Sequence, residues 1–286
     1  MHNVFTVDVE DYYMVTAFKD IVKYKDWPTY QSRVEDNTKK ILELLAANKI
    51  TATFFVLGWV AKRYPSLVRE IQSEGHEIAS HGYNHRLIYE MTPDEFREDV
   101  HKSKSILEDI TGGQIKGYRA ASYSIVQATL WALDILIEEG FLYDSSIFPI
   151  RHDLYGLPDA NRFHHIIERN GGKLHEFPAT TSRILGQNLP IAGGGYLRLF
   201  PLSATKAVVR RVNRKERKPV IFYVHPWEVD VDQPRLNGRL LSKARHYLNL
   251  KSTMPKLAAL LGEFKFVPLS GLLVGSEKKE KADKIA

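Results

Sequence analysis

The sequence predicts an α/β protein whose parallel sheet curves into a barrel-like fold. Short β-rich segments alternate with helical segments through the 286 residues, which is the pattern of repeated strand–helix units. Polar residues follow several predicted strands, as in barrels whose chemistry lies at the carboxyl ends of the strands. Because no internal repeat or long linker interrupts the chain, we expect one domain over residues 1–275 and a basic, disordered tail over residues 276–286.

The first part of the chain alternates apolar strands with amphipathic helices. Residues 4–9 are apolar and β-rich and predict the first strand. Isoleucine and leucine recur at helical spacing in residues 37–47, and a β-branched and aromatic run follows at residues 51–57. Residues 65–74 begin with proline and precede a glycine, which predicts a helix that leads into a strand at residues 77–80.

A capping box marks the next helix. Thr92 and Glu95 stand three residues apart with Pro93 at the first helical position, so the helix begins there. It should run to about Ile110 and end at the glycine pair that begins with Gly112. The remaining predicted strands span residues 114–119, 141–143, 173–177, 220–224 and 264–268, and a last helix spans residues 254–261.

Composition restricts the cofactors and partners. The chain has no cysteine, which fits a reducing compartment and leaves histidine, aspartate and glutamate as metal ligands. The net charge of +6 comes largely from residues 210–218 and 278–284. These segments are either solvated surface or a patch that attracts an anionic glycan, a membrane surface or nucleic acid. No aromatic residues alternate with the basic ones and no nucleic-acid-binding signature is present, so we expect no nucleic-acid partner.

The sequence also indicates how the protein relates to a membrane. No apolar run is long enough to span a bilayer, so no transmembrane segment is expected. Residues 1–8 lack the basic and apolar regions of a signal peptide. If the mature chain begins at Met1, we expect a cytoplasmic protein, and peripheral contact with the inner face of the membrane stays open.

Acidic residues follow the first predicted strand. Asp8, Glu10 and Asp11 place three carboxylates within four residues, and such groups repel one another unless a cation or a shared proton compensates. The alternative is an acidic first turn of a helix.

Two histidines follow the strand at residues 77–80. His81 and His85 are four residues apart and, on a helical turn, would project from one face and share a metal ion. Two imidazoles and one carboxylate form the ligand set of hydrolytic zinc sites, which keep open positions for water and substrate.

Two further strand ends carry candidate catalytic residues. Arg119 could hold a catalytic carboxylate in place, or it could be an ordinary surface arginine. His225 ends an apolar strand and precedes Pro226, so it could exchange protons in a pocket or be a satisfied core histidine.

In chain order, these segments resemble the motifs of NodB-type polysaccharide deacetylases, the carbohydrate esterase family four group that includes chitin and peptidoglycan deacetylases. The resemblance extends from Val4 to about Leu269. The matching segments are Thr6-Val7-Asp8, Ser80-His81-Gly82-Tyr83-Asn84-His85, Gly117-Tyr118-Arg119, Tyr143-Asp144-Ser145-Ser146 and Val224-His225. Family resemblance implies a distorted (β/α) barrel of the NodB type, one divalent ion and hydrolysis of an N-acetyl group.

Three segments are similar to a narrower bacterial subgroup, which is associated with exopolysaccharide biosynthesis and PEP-CTERM (exosortase) gene clusters. They are residues 6–13, 175–178 and 193–198. The chain also departs from the family pattern at the third motif, where alanines replace the usual proline after Arg119, so the substrate groove should differ in shape.

The resemblance implies that His81, His85 and one acidic residue hold a divalent metal, Zn²⁺ in the first place and Co²⁺ as an alternative, which would acidify water and polarise the acetamide carbonyl. The common first motif has adjacent acids, whereas here Val9 follows the first one. The third ligand is therefore Glu10 or Asp11, and Glu10 ranks first because alternate residues of a strand share a face with Asp8.

The resemblance also implies roles for the other residues. Asp8, held by Arg119, would act as general base, and His225 would protonate the departing amine. A backbone N–H near Tyr123 would stabilise the oxyanion, and the rings of Tyr123 and Trp227 would contact sugar rings or pack in the core.

The expected substrate is an N-acetylated glycan or a lipid- or nucleotide-linked sugar precursor. Two alternatives remain from the residues themselves. One is hydrolysis of a small-molecule C–N bond, as in a cyclic amide or formamide, on the same fold. The other is a non-catalytic carbohydrate-binding subunit, although the presence of every candidate residue argues against a lost activity.

Overall fold

A computed structural model of the chain describes residues 1–152 and 155–273. The predicted tail at residues 276–286 lies outside the described residues, and the domain boundary at residue 275 stays a prediction. The strands are β1 (His2–Val9), β2 (Thr53–Val56), β3 (Glu77–Ser80), β4 (Gly117–Tyr118), β5 (Tyr143–Asp144), β6 (His165–Arg169), β7 (Gly172–Glu176), β8 (Thr181–Ile184), β9 (Gln187–Pro190), β10 (Ile221–Val224) and β11 (Lys265–Val267). The helices are α1 (Val34–Ala47), α2 (Gly58–Arg63), α3 (Pro65–Ser73), α4 (Pro93–Thr111), α5 (Ala132–Glu138), α6 (Gly194–Leu199), α7 (Leu202–Arg211), α8 (Leu240–Tyr247) and α9 (Thr253–Leu261).

The main sheet is parallel over most of its width. Its strands lie in the order β10-β1-β2-β3-β4-β5-β7-β6, and β11 pairs with the first residues of β1. All neighbours along this path are parallel except β6 and β7. Among the described residues no ladder joins β10 to β6, so the sheet forms an open, distorted barrel. The predicted fold class, an α/β protein with a parallel, barrel-like sheet, is confirmed.

The alternation of side chains along β1 separates the core from the barrel interior. Phe5, Val7 and Val9 belong to the large apolar cluster that includes residues of the flanking helices. Val4 instead packs with Phe55 of β2 in a smaller cluster inside the barrel. Because successive residues of a strand point to opposite faces, the even-numbered polar residues of β1 point into the barrel.

The capping box that was read from the sequence begins α4. Thr92 Oγ1 accepts a hydrogen bond from the backbone N–H of Glu95 at 3.3 Å, and Glu95 Oε2 accepts one from the N–H of Thr92 at 2.8 Å. Gly112 ends the helix in the left-handed region, with φ of 65°. Helices α2 and α5 to α8, strand β6 and the hairpin β8–β9 were not predicted.

Two buried carboxyl groups face each other across β5 and β7. Asp144 and Glu176 are register partners, and both are fully buried. Asp144 accepts hydrogen bonds from Ser146, and Glu176 Oε1 accepts one from the backbone N–H of Ile147 at 3.1 Å. Burial raises the pKa of Asp144; burial together with the neighbouring Asp144 carboxylate raises the pKa of Glu176 well above its usual range. Both shifts favour the protonated form of the pair.

Glu176→Gln should make the stability of the protein less sensitive to a rise in pH. A raised pKa in the folded state means that the stabilisation is complete below the pKa of the unfolded carboxyl, ~4.3, and is lost as pH rises through the folded pKa. The glutamine carries its hydrogens permanently, so the free energy of unfolding should decline less above pH ~4.3 than in the wild type. Urea unfolding across a pH series measures this, with Glu168→Gln on the exposed surface of β6 as the control. Parallel declines in wild type and Glu176→Gln would contradict the raised pKa of Glu176.

Candidate active site

The Asp8 carboxylate is held inside the barrel by a buried arginine. Arg119 follows β4, and its Nη1 donates to Asp8 Oδ1 at 2.7 Å and to Thr6 Oγ1 at 2.7 Å. Nη2 of the same side chain donates to Ser145 Oγ at 2.9 Å, and Arg119 is fully buried. A charge-assisted bond in such surroundings fixes the orientation of the carboxylate. The structure thus brings together the two residues that the sequence analysis paired.

His81 and His85 lie on a loop, and the helical turn expected from their spacing is wrong. Gly82 and His85 both adopt left-handed backbone conformations, with φ of 73° and 56°, so the segment is not helical. Asp99 of α4 accepts a hydrogen bond from the backbone N–H of Tyr83 at 2.9 Å. A Cβ atom on Gly82 would lie 2.8 Å from Asp99 Oδ2, so the loop requires glycine there. The two imidazoles nevertheless converge, with ring centroids 5.4 Å apart.

Glu10, His81 and His85 form a group that could hold a metal ion. One ligand atom from each lies within 4.8 Å of the others, and all three side chains are largely or fully buried. Glu10 Oε2 lies 3.0 Å from His85 Nε2. Burial alone would raise the pKa of Glu10, but the nearby imidazoles of His85 and His225 outweigh it and lower that pKa, so the carboxylate is ionised.

The orientation of His81 also fits a metal ligand. Its Nδ1 lies 2.8 Å from the backbone oxygen of Arg119. A carbonyl oxygen can only accept a hydrogen bond, so Nδ1 carries the hydrogen and Nε2 keeps its lone pair. Burial lowers the pKa of His81 to about 4, so the ring is neutral at pH 7. Two imidazoles and one ionised carboxylate are the donor set of hydrolytic zinc sites, and the residues present fit a divalent ion.

Asp11, the alternative ligand, lies away from this group. Its Oδ2 accepts hydrogen bonds from the Ser32 hydroxyl at 2.8 Å and from the backbone N–H groups of Arg33 and Val34 at 2.8 and 3.2 Å. These donors belong to the start of α1, so Asp11 satisfies a helix N-terminus. The geometry therefore places Glu10, and not Asp11, beside the two histidines.

A carboxylate that the sequence analysis missed orients His225. Glu228 Oε2 lies 3.1 Å from His225 Nδ1, and Glu228 Oε1 accepts from Nε and Nη2 of Arg198 at 3.1 and 3.0 Å. A Cβ atom on Gly194 would lie 1.8 Å from Glu228 Oε2, so the glycine-rich segment makes room for this carboxylate. Its signals in the sequence were the spacing of three residues from His225 and the nearby Gly-Gly-Gly segment.

His225 points its other nitrogen at the acidic residues of β1. Its Nε2 lies 3.4 Å from Glu10 Oε1 and 3.9 Å from Asp8 Oδ2. Burial would lower the pKa of His225, but Glu10, Glu228 and Asp8 together raise it to about 9. The side chain is therefore a cation at neutral pH in this arrangement, with a transferable proton on Nε2.

The two residues expected to contact sugar rings are buried. Trp227 is 7% exposed, stacks on His225 and His246 with centroid distances of 5.1 and 4.0 Å, and donates from Nε1 to Glu10 Oε1 at 3.1 Å. Tyr123 is 5% exposed, and its backbone N–H donates to Ala120 O at 3.2 Å. Their burial fits the alternative that both rings pack in the core, and the N–H of Tyr123 itself is bonded to Ala120, while an oxyanion donor near Tyr123 stays a prediction. Trp227 instead orients Glu10, and the ring of Tyr123 packs beside Arg119.

Comparison with protein families divides the chain into two matched regions. Residues 21–135, which contain His81, His85 and Arg119, match the model of the polysaccharide deacetylase family. Residues 145–274, which contain His225, match a domain of unknown function, DUF3473. A peptidoglycan-N-acetylglucosamine deacetylase of Bacillus cereus is 36% identical over 98 residues, which are 34% of this chain and 36% of that protein.

These matches make residues 21–135 similar to polysaccharide deacetylases. The chain spans about a third of the length of that curated deacetylase. Over the whole fold, a candidate polysaccharide deacetylase from Mycobacterium smegmatis superposes with a TM-score of 0.63 at 18% identity, covering 97% of this chain and 90% of that one. The PuuE allantoinase superposes with a TM-score of 0.54 at 19% identity, covering 87% and 83%. At these identities the likeness shows a shared fold, the distorted α/β barrel, and nothing further.

Proposed function

We propose that this chain is a metal-dependent hydrolase that removes N-acetyl groups from N-acetylhexosamine units of a polysaccharide or of its biosynthetic precursor. The observation that carries the proposal is the convergence of three kinds of group at one end of the barrel. They are the possible ligand set of Glu10, His81 and His85, the Asp8–Arg119 ion pair, and His225 within 3.9 Å of Asp8.

The chain's own residues divide the acid–base work. When bound, a divalent ion, Zn²⁺ by its preference for this donor set, supplies Lewis acidity that acidifies water and polarises the acetamide carbonyl. Asp8, fixed by Arg119, takes a proton from the attacking water. His225 gives the Nε2 proton to the nitrogen of the leaving amine, so the C–N bond breaks to yield acetate and a free amino sugar. Glu228 keeps Nδ1 of His225 occupied and so directs the transferable proton to Nε2.

Two observations support the proposed substrate class. One is the match of residues 21–135 to the polysaccharide deacetylase family, and the other is the resemblance of three segments to the exopolysaccharide-associated subgroup. The Bacillus cereus relative is a peptidoglycan-N-acetylglucosamine deacetylase, which acts on an N-acetylated glycan. We infer that the substrate here is an N-acetylhexosamine glycan made for export, or a lipid- or nucleotide-linked precursor of it, as part of exopolysaccharide biosynthesis.

Removal of the metal tests the proposal. The purified protein should release acetate from an N-acetylglucosamine oligomer, lose this activity after treatment with a chelator, and regain it with Zn²⁺ or Co²⁺. Replacing the oligomer with a hydantoin tests the alternative hypothesis, hydrolysis of a small-molecule C–N bond. Acetate release that persists in protein shown by elemental analysis to be metal-free would overturn the metal-dependent mechanism, and hydrolysis of the ring without release from the oligomer would overturn the glycan substrate.

A matched pair of histidine variants tests the ligand set. His85→Ala should lose the bound metal and the activity, because two remaining ligands hold a divalent ion weakly. His101→Ala, on the exposed face of α4 with its side chain 69% exposed, should keep both. Metal content by elemental analysis is the measurement, and a full complement of metal in His85→Ala would contradict the assignment.

A further inference from the structure

The hairpin β8–β9 ends in an unusual turn. Ile184 and Gln187 are register partners, so the turn consists of Leu185 and Gly186, with φ of 49° and 81°. Two positive φ values identify the two-residue turn that favours asparagine, aspartate or glycine at its first position. Leucine is poorly suited to this left-handed conformation. Leu185 therefore occupies a left-handed turn position at which asparagine, aspartate or glycine would be more stable.

The same leucine has no role in the packing of the fold. Leu185 is 99% exposed, and its neighbours Ile184 and Leu189 on the hairpin are each 40% exposed. An apolar side chain that is fully exposed contributes nothing to the core. When its backbone is also in an unfavourable conformation, a binding function is the usual reason for keeping it. The hairpin thus presents a small apolar tip to the outside.

Basic residues lie on the hairpin and in the segment that contacts it. Arg211, at the end of α7, donates from Nη2 to the backbone oxygen of Arg183 on the hairpin at 3.2 Å. Arg214, Lys215 and Arg217 follow within the next turns and are exposed. Within the described residues none of these five side chains takes part in an ion pair. We call the tip (Ile184, Leu185 and Leu189) together with these five residues the basic hairpin surface.

The basic hairpin surface lies at the opposite end of the barrel from the candidate active site. Thr180, which precedes the hairpin, accepts a hydrogen bond on Oγ1 from the N–H of Ile221, the first residue of β10. The basic segment also leads directly into the start of β10, whereas His225 follows its last residue. A ligand on this surface therefore leaves the catalytic end free.

We propose that the basic hairpin surface docks on a membrane whose headgroups are anionic. Clustered basic side chains attract such a surface, and an exposed apolar tip can enter the interface between headgroups and acyl chains. A soluble polyanion such as a nucleic acid would contact the basic side chains but would not bury Leu185. A bilayer with anionic headgroups would do both. In the described residues no helix has the length and apolar character to cross a membrane, and docking would be peripheral. The docked protein would point its catalytic end away from the bilayer.

Sedimentation of the full chain with lipid vesicles tests this proposal independently of the deacetylase activity. Binding should be stronger to vesicles of phosphatidylcholine mixed with phosphatidylglycerol than to phosphatidylcholine alone, and it should weaken as salt is added. Leu185→Asn should reduce binding roughly tenfold or more, since a buried leucine side chain is lost from the interface. Asparagine suits the left-handed turn, so the variant should fold at least as stably as the wild type.

Charge variants and controls complete the test. Arg214→Gln with Lys215→Gln should reduce binding to anionic vesicles by about fivefold for each charge removed. Leu240→Asn, at a leucine 82% exposed on α8, and Lys62→Gln with Arg69→Gln, on α2 and α3, should bind as the wild type does. The proposal is overturned if Leu185→Asn binds normally, if the controls lose as much binding, or if a single-stranded oligonucleotide binds the surface with the same dependence on Leu185.

Discussion

Asp8→Asn should keep the bound metal and lose ~10²–10⁴-fold in the rate of acetate release, the usual contribution of a general base. The asparagine side chain has nearly the same shape, and its oxygen can still accept the 2.7 Å bond from Arg119 Nη1. It cannot take the proton of water. The turnover number with an N-acetylglucosamine oligomer and the metal content of the same preparation are the two measurements.

The stability of this variant needs a separate control, because Arg119 is fully buried and loses its counter-ion. Breaking a buried pair in this way costs ~3–5 kcal/mol, so the assay is run well below the melting temperature of the variant. Asp11→Asn is the matched control: this acid caps α1 and should lower stability by ~1 kcal/mol without affecting metal or rate. If Asp8→Asn turns over at the wild-type rate, Asp8 is not the base.

The choice between Glu10 and Asp11 shows what sequence reasoning can resolve. Alternation along a strand put Asp8 and Glu10 on one face, and the structure places both inside the barrel. The alternation of side chains predicted the position of Glu10 correctly because β1 is a regular, buried strand up to Val9. The role of Asp11 in capping α1 could not be read from the sequence, since its partners at Ser32 and Arg33 follow an irregular segment of about twenty residues.

The histidine segment shows the opposite case, in which the residues were predicted but their local structure was not. Spacing of four residues suggested a helical turn, whereas left-handed conformations at Gly82 and His85 make a loop. That loop depends on Asp99 of α4, which accepts from the N–H of Tyr83. A contact between residues sixteen positions apart leaves no periodic pattern in the sequence. The one local indication of a loop is Gly82, since glycine readily adopts a left-handed conformation.

The contacts of His225 depend still more on tertiary structure. Glu228 is close in sequence, but the partner that keeps it ionised, Arg198, comes from α6. For Trp227 the sequence left two interpretations open, contact with a sugar ring or packing in the core. In the fold its ring stacks on those of His225 and His246, and the second of these is nineteen residues away.

Glu228→Gln should lower both the catalytic rate at alkaline pH and the free energy of unfolding. The substitution removes the charge that helps to raise the pKa of His225, so that pKa falls. A general acid must be protonated, and activity is lost as pH rises through its pKa. The alkaline limb of the pH–rate profile should therefore move to lower pH, and the rate at alkaline pH should fall by ~10²-fold or more. The pH dependence of kcat is the measurement.

A double variant separates this effect from the loss of the buried ion pair. Glu228→Gln leaves Arg198 charged and unpaired inside the protein, which should cost ~3–5 kcal/mol of unfolding free energy. Adding Arg198→Gln removes that charge, so the double variant should be more stable than the sum of the single variants predicts. Its alkaline limb should stay at the lower pH, because the carboxylate next to His225 is still missing.

Asp230→Asn is the matched control for this argument, because it breaks another partly buried ion pair, with Arg33, just beyond the same turn. It should lower the free energy of unfolding while leaving the alkaline limb where the wild type has it. A general loss of stability would move neither limb, whereas a carboxylate that acts on His225 must move the alkaline one. An unchanged limb in Glu228→Gln would show that Glu228 merely supports the fold, and the proton donor would then have to be oriented by other groups.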